Sequence, residues 1–349
     1  MAIDRVITGE SRNEAEEYFN VSLRPKQLRE CTGQRKVIDK LKIAIEAAKK
    51  RGEPLEHILF YGPPGLGKTT LANVVANEMG ANIRYTSGPA LTKQGDLMGL
   101  LSNIGTGDVL FIDEVHRLSS PVEEFLYPAM EEFRVDFTVD SGLHAKTINF
   151  PLKRFTLIGA TTRAGLLGAP LRSRFGMLYH LEFYNTNELT EILVRSAKLL
   201  KLNCDDGTLE LIAGRSRGTP RIANRLLKRV RDYAQVKGAG ALTKSIVEQS
   251  LKMEQIDGLG LDELDRSFLR AIAGVYEGGP AGIEAIAATL GEESDTLEDV
   301  VEPYLLQIGF VRRTNRGREI TNDACRHLGL KYHKKAPADQ PELFESAEQ

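Results

Sequence analysis

Between residues 20 and about 183, short apolar runs alternate with stretches of helical period, a pattern that predicts a parallel sheet covered by helices. Ile58–Tyr61, Val109–Ile112 and Thr156–Ala160 are apolar at nearly every position. That suits strands buried on both faces rather than strands with one wet side. From 184 to about 254 the pattern is helical only, with several Lys and Arg residues at exposed positions. From about 257, short helices, among them Asp299–Gln307, lead to a hairpin around Thr314–Gly317 with Asn315-Arg316-Gly317 at its tip. Within the first region, Arg134–Phe150 alternates apolar and polar residues about Asp140-Ser141-Gly142, which predicts another hairpin. By pattern alone it could be an edge hairpin of the main sheet.

The predicted organisation is therefore a mobile polar arm over 1–19 and a large α/β domain over 20–183, carrying an insertion at about 134–150. A small helical domain follows over 184–255, then a third domain over 256–335 and a Pro-rich, acidic, disordered tail over 336–349.

Composition narrows the class. At 349 residues, 42% apolar and 27% charged, the chain is an ordinary soluble protein too long for one core. No apolar stretch approaches the ~20 residues a bilayer demands, and the N-terminus lacks a signal-peptide core. Cys31, Cys204 and Cys325 are too scattered for a disulfide framework or a metal cluster, so a reducing cytoplasm is the simplest home. The net charge of −2 conceals an asymmetry. Between Asp257 and Glu302 twelve acidic residues face only Arg266 and Arg270. Between Pro303 and Lys335 eight basic residues, including Arg312, Arg313, Arg316 and Arg318, face Glu319 and Asp323. Helices followed by a basic β-wing suit a winged-helix nucleic-acid module, whose arginines would neutralise phosphates with little reading of sequence. A solvated charged face would look similar.

The sharpest chemistry is Gly62-Pro-Pro-Gly65-Leu-Gly67-Lys68-Thr69, a full match to the G-x-x-x-x-G-K-[ST] phosphate-binding loop, set between a strand and a helix. Gly62, Gly65 and Gly67 permit positive φ, so backbone N–H groups can converge on phosphate. Lys68 would reach the β- and γ-phosphates and Thr69 would ligate Mg²⁺. About 45 residues later the apolar run Val109–Ile112 ends in Asp113-Glu114. In that position Asp113 could support Mg²⁺ and Glu114 could polarise the attacking water, although paired acids also start helices. Thr161-Thr162-Arg163 closes another buried strand, where a hydroxyl could meet the γ-phosphate or simply make a turn. Arg172 and Arg174 follow, either of which suits a charge donated to a neighbouring subunit or a surface ion pair. In Gly218-Thr219-Pro220-Arg221, Thr219 reads as a helix N-cap with Pro220 at the first helical position. A cation at Arg221, against the helix dipole, suggests an anionic partner.

Taken in order, these parts resemble an AAA+ ATPase. Leu23-Arg24-Pro25, Gly33-Gln34, Gly62–Glu78, Asp108–Leu118, Gly159–Gly165 and Gly218–Leu227 closely resemble the RuvB family, motors of bacterial Holliday-junction branch migration. The resemblance spans about residues 20 to 335. It implies an α/β P-loop AAA+ core with a parallel sheet, an all-α lid and a C-terminal winged-helix domain. It also implies ATP hydrolysis with Mg²⁺, a homohexameric ring on double-stranded DNA, and partners RuvA, through the 134–150 hairpin, and RuvC. By motif position, Lys68, Asp113, Glu114, Thr162, Arg174 and Arg221 would be catalytic. Thr69 and Asp113 would hold the metal. Leu23, Arg24, Gly62, Gly65, Gly67, Thr70 and Tyr184 would line the nucleotide, with Glu131, Glu132 and Phe133 approaching a neighbour's. Arg313, Arg316 and Arg318 would touch DNA phosphates. A clamp-loader or replication-initiator ATPase is the rival, but it would lack the hairpin and wing together.

Overall fold

The computed structural model describes residues 22–139 and 146–331. The predicted arm, tail and Asp140-Ser141-Gly142 turn lie outside these residues. The chain divides into two compact units, up to Met253 and from Glu254, described separately below.

The first unit is built on β1 (Ile58–Tyr61), β2 (Ile83–Ser87), β3 (Val109–Asp113), β4 (Arg134–Val139), β5 (Lys146–Pro151), β6 (Thr156–Thr161) and β7 (Met177–His180). Five of these form one parallel sheet in the order β2-β3-β6-β1-β7. Its central strands are buried except at the carboxyl ends of β1 and β3, as their apolar runs demand. Alternate residues feed two cores. Ile58, Phe60, Phe111 and Ile158 pack with helices Arg35–Arg51 and Lys68–Met79. Leu59, Leu110, Ile112 and Leu157 pack with helices Gln94–Ser102 and Ser120–Glu131 on the opposite face. Each large apolar side chain buried this way contributes about 1.5–3 kcal/mol.

β4 and β5 pair only with each other, antiparallel from Arg134↔Pro151 to Val139↔Lys146. The hairpin is thus separate from the main sheet, which removes the edge-hairpin alternative. Ile148 and Phe150 stand exposed on it.

His57 ties this sheet to the end of the Ser120–Glu131 helix. Leu157 N–H donates to its Nδ1 (2.9 Å), so Nε2 carries the proton and donates to Met130 C=O (3.0 Å). Burial is the chief influence holding its pKa below the ordinary 6.5, opposed by the Met130 carbonyl and Glu56. The unfolded chain therefore protonates first, and this contribution to stability is complete above 6.5 and falls as pH drops below it. Thermal unfolding of the wild type and of His57→Gln should show this. The wild type is expected to lose several more degrees on acidification, because Gln offers one donor and one acceptor without ionising.

The helices Thr186–Leu199, Thr208–Gly214, Pro220–Lys237 and Lys244–Met253 form a small bundle over Leu189, Leu193, Leu226, Leu227, Val230 and Leu251. Sequence predicted helices only, but Asn203–Cys204 and Ala241–Leu242 form a short parallel pair. The first helix opens with a capping box in which Asn185 Oδ1 accepts from Glu188 N–H (2.9 Å) and Glu188 accepts in return (3.0 Å).

The second unit packs helices Glu263–Arg270, Ile283–Leu290 and Asn322–His327 around Phe268, Leu269, Ile272, Leu297, Leu305 and Phe310. A continuous helical stretch from Ser294 to Gln307, widened over Leu297–Val301, replaces the shorter predicted Asp299–Gln307. Strands Val311–Thr314 and Gly317–Ile320 make the predicted wing, and Ala281 pairs alongside Arg318.

Candidate active site

The phosphate loop leaves the carboxyl end of β1, and Gly62 N–H donates to Thr161 C=O at the end of β6 (3.2 Å). Gly62 has φ +136°, and any Cβ there would collide with the Leu181 carbonyl, so no other residue fits. Gly65 and Gly67 also take positive φ, and Lys68 begins the Lys68–Met79 helix with Thr69 and Thr70 in its first turn. Lys68 is 8% exposed, and its ammonium donates to the carbonyls of Gly62 (2.8 Å) and Pro63 (2.9 Å). The loop thus curls around its own lysine, a cation inside a ring of backbone.

β3, β6 and β1 are adjacent, so Asp113, Thr162 and the loop share one end of the sheet. Ligands of open α/β sheets bind beyond these carboxyl ends. Asp113 Oδ1 accepts the Glu114 N–H (2.9 Å), and Glu114 is left-handed at φ 48°, a strained conformation for a glutamate. Its carboxylate meets Arg117 (3.1 Å) at the surface. Half-buried Thr162 follows Thr161, whose hydroxyl is bonded to His116 Nδ1 (2.9 Å). His116 thus holds the strand end beside the candidate sensor.

The lid closes one side. Tyr184 N–H donates to Gly218 C=O (2.9 Å), Tyr184 Oη to Leu66 C=O (3.3 Å) and Arg221 N–H to Gly65 C=O (3.4 Å). The amino end of the Pro220–Lys237 helix therefore abuts the phosphate loop, adding its positive dipole end to the Arg221 side chain. Thr219 does occupy the N-cap position, but its hydroxyl donates back to Ser216 C=O (3.3 Å) and caps nothing. Burial raises the Tyr184 phenol well above its usual range, so the ring stays neutral. It lies so close to Gly33 (φ +74°) that a Cβ would sit 2.6 Å from its edge. Gln34 clasps the backbone of Glu182, donating at 2.6 Å and accepting at 3.3 Å.

Buried Leu23 and half-buried Arg24 belong to a strap fastened at both ends. Arg195 of the lid donates to Leu23 C=O (2.9 Å) and contacts Glu30 (3.3 Å), while Leu28 N–H bonds Glu78 at the far end of the phosphate-loop helix (3.0 Å). Sequence reading missed Arg195, because no local pattern distinguishes it from a solvated helical arginine.

Arg174 is not with these residues. Met177 N–H bonds His57 C=O (3.1 Å) at the amino end of β1, so Arg174 sits just before β7 at the opposite, amino end of the sheet from the phosphate loop. β1 alone separates the two ends by roughly 10 Å. The Arg174 guanidinium lies 4.1 Å over the Tyr127 ring, donates to Pro170 C=O (2.6 Å) and approaches Glu131 (3.2 Å). Glu131 through Phe133, singled out separately, lie at this same end. Glu132 pairs with Arg134 (2.5 Å), and Phe133 is left-handed at φ 51°, its ring edge-on to Phe155.

In the second unit Arg316 is exposed on the wing turn, and Arg313 is exposed but reaches Glu298 (3.4 Å). Arg318 differs from these two in its surroundings. Its side chain is 8% exposed and paired with Glu302 and Glu298 (both 2.8 Å), because it faces the core side of the hairpin.

Could these residues hold Mg²⁺ with a nucleotide? Among the described residues no three His, Cys, Asp or Glu side chains converge as a metal cage. One hydroxyl and one carboxylate at a phosphate loop suit Mg²⁺, which keeps waters and takes phosphate oxygens rather than a protein cage. Among the described residues no helix is long and apolar enough to cross a membrane.

Comparison with known proteins agrees over most of the chain. The family model of the Holliday junction DNA helicase RuvB P-loop domain matches residues 23–181, the RuvB AAA lid domain 184–257 and the RuvB C-terminal winged helix domain 258–329. A Holliday junction branch migration complex subunit RuvB from Kosmotoga olearia is 58% identical, covering 90% of this chain and 92% of the relative. Its namesake from Limosilactobacillus reuteri is 53% identical, covering 94% and 97%. The solved Thermotoga maritima RuvB Holliday junction branch migration motor is 52% identical, covers 89% of this chain and 99% of its own, and superposes with a TM-score of 0.82.

Proposed function

The chain belongs to the RuvB family, and from that premise we propose that it is an ATP-driven motor moving double-stranded DNA through four-way junctions. The observation that carries the reading is the split site: Lys68, Asp113 and Glu114 at the carboxyl end of the sheet, and Arg174 with Glu131 at its amino end. A lone subunit cannot bring Arg174 to its own phosphate loop, so the complete site forms where two subunits meet. Closure of such head-to-tail contacts gives a ring, which the family resemblance makes a homohexamer. In it, Lys68 binds the β- and γ-phosphates, Glu114 orients water, Thr162 bonds the water or γ-phosphate, and the neighbour's Arg174 offsets developing charge. Thr69 and Asp113 would hold Mg²⁺, which supplies charge neutralisation on the phosphates. Leu23, Arg24 and Tyr184 border the adenine, and Gly62, Gly65, Gly67 and Thr70 line the phosphates. Glu132 and Phe133 belong to the end of the sheet offered to the neighbour.

Arg221 senses the γ-phosphate, and the lid transmits the change through Tyr184, Gln34 and Arg195. The winged-helix unit grips the DNA backbone irrespective of sequence. The β4–β5 hairpin, with exposed Ile148 and Phe150, docks the junction-recognising partner RuvA, and RuvC completes the assembly in the bacterial cytoplasm.

The test is branch migration of a synthetic four-way junction. ATP-dependent strand exchange is expected with RuvA present and is expected to fall at least tenfold without it. Migration indifferent to RuvA would remove the specific assignment while leaving the ATPase reading standing.

A further inference from the structure

Arg174 lies between two anchors. Leu171 and Phe175, both almost wholly buried, fix the backbone on either side of it. Its side chain is 20% exposed and held by three contacts. Nη1 donates to Pro170 C=O (2.6 Å), the guanidinium carbon lies 4.1 Å over the Tyr127 ring, and Nε stands 3.2 Å from Glu131 Oε1. The Ser120–Glu131 helix supplies two of these partners, because Glu123, Tyr127 and Glu131 are spaced by four and share one face of it. The Tyr127 phenol donates to Glu123 Oε1 (2.7 Å). That carboxylate lies against the chain leading to Arg174, so close that a Cβ at Gly168 would stand 3.2 Å from it. Burial, helped by Glu123, pushes the phenol up to about 12, so the ring remains a neutral O–H donor.

The contacts differ in what they leave for a ligand. A guanidinium carries its five N–H donors in one plane. A carboxylate occupies donors that a phosphate could use, whereas an aromatic ring takes the flat face and leaves the donor edge open. Contact with Tyr127 can thus persist while Arg174 engages a phosphate. We propose that Tyr127 is a positioning residue for the shared site, its ring face holding Arg174 in the attitude from which it meets the neighbour's γ-phosphate, with Glu123 fixing the ring. This role rests on the two-subunit site proposed above.

A positioning role costs turnover and spares binding. In the full chain, Tyr127→Leu is expected to lower kcat for ATP about 10- to 100-fold, the scale on which a misplaced group costs rate. KM and the affinity for a fluorescent nucleotide should stay within a few-fold of wild type, since the phosphate loop lies at the other end of the sheet. Tyr127→Phe keeps the ring face, and its kcat should also stay within a few-fold. Tyr127→Met should repeat the leucine result if that variant fails to fold. Mixing assigns the lesion to one side of the interface. Tyr127→Leu mixed with Lys68→Ala should gain several-fold over Tyr127→Leu alone, because some interfaces then join an intact loop to a well-held arginine. Mixed with Arg174→Ala it should gain nothing. The proposal is overturned if Tyr127→Leu turns over as wild type does, if Tyr127→Phe is as slow as Tyr127→Leu, or if the Lys68→Ala mixture shows no gain. Wild-type hydrolysis by Arg174→Ala would instead remove the shared site itself.

Discussion

Arg174→Ala is expected to bind ATP as the wild type does and to hydrolyse it roughly 10³–10⁵ times more slowly. The reason is positional. Arg174 precedes β7 at the end of the sheet opposite the phosphate loop, held over Tyr127 and beside Glu131. It takes no part in nucleotide binding within its own subunit, so affinity should survive its removal. In the proposed shared site its cation would meet the next subunit's γ-phosphate as charge develops, so the turnover rate should carry the loss. Steady-state hydrolysis and binding of a fluorescent nucleotide, measured side by side, check the prediction. A mixing experiment sharpens it. Arg174→Ala and Lys68→Ala should each be inactive alone, yet together regain part of the activity, because some interfaces unite an intact loop with an intact arginine. Retained hydrolysis in pure Arg174→Ala would end the shared-site assignment.

Glu114→Gln should lower the rate of the chemical step by about 10²–10⁴ while ATP binding persists. Glu114 occupies a left-handed turn directly after β3, with Asp113 fixing its N–H and Arg117 its carboxylate. Gln keeps the shape and loses the charge that polarises water. The variant should therefore accumulate as an ATP-loaded assembly, seen as a larger species in sizing experiments with ATP than without. Single-turnover hydrolysis separates the two steps. A rate within tenfold of wild type would show that the water is activated elsewhere.

How much of this was legible beforehand differs from element to element. The phosphate loop was legible because its function depends on backbone conformation that only glycines at fixed spacing permit, so the chemistry is written locally. The strands were legible for a related reason: a strand buried on both faces admits few polar residues. The lid arginine at 221 was legible as a cation misplaced at a helix start. The burial of Arg318 was not legible, because a wing arginine paired within the domain reads the same as one facing solvent until its partners Glu298 and Glu302 are placed 20 and 16 residues upstream. Arg195 and His57 carried no signal, since their roles lie in contacts spanning 172 and 100 residues of chain.

By itself, then, the order of residues determined the class of chemistry, the parallel sheet and the three-part layout. These follow from side-chain period, glycine freedom and charge, all short-range properties. Only the tertiary structure decided that the 134–151 hairpin leaves the main sheet and that Arg318 is paired within its own unit. It alone put Arg174 and Glu131 together at the end of the sheet away from the phosphate loop. Which residues from different elements meet at one end of the sheet depends on how strands and helices pack against one another, and that packing is set by distant segments rather than by neighbours in the chain.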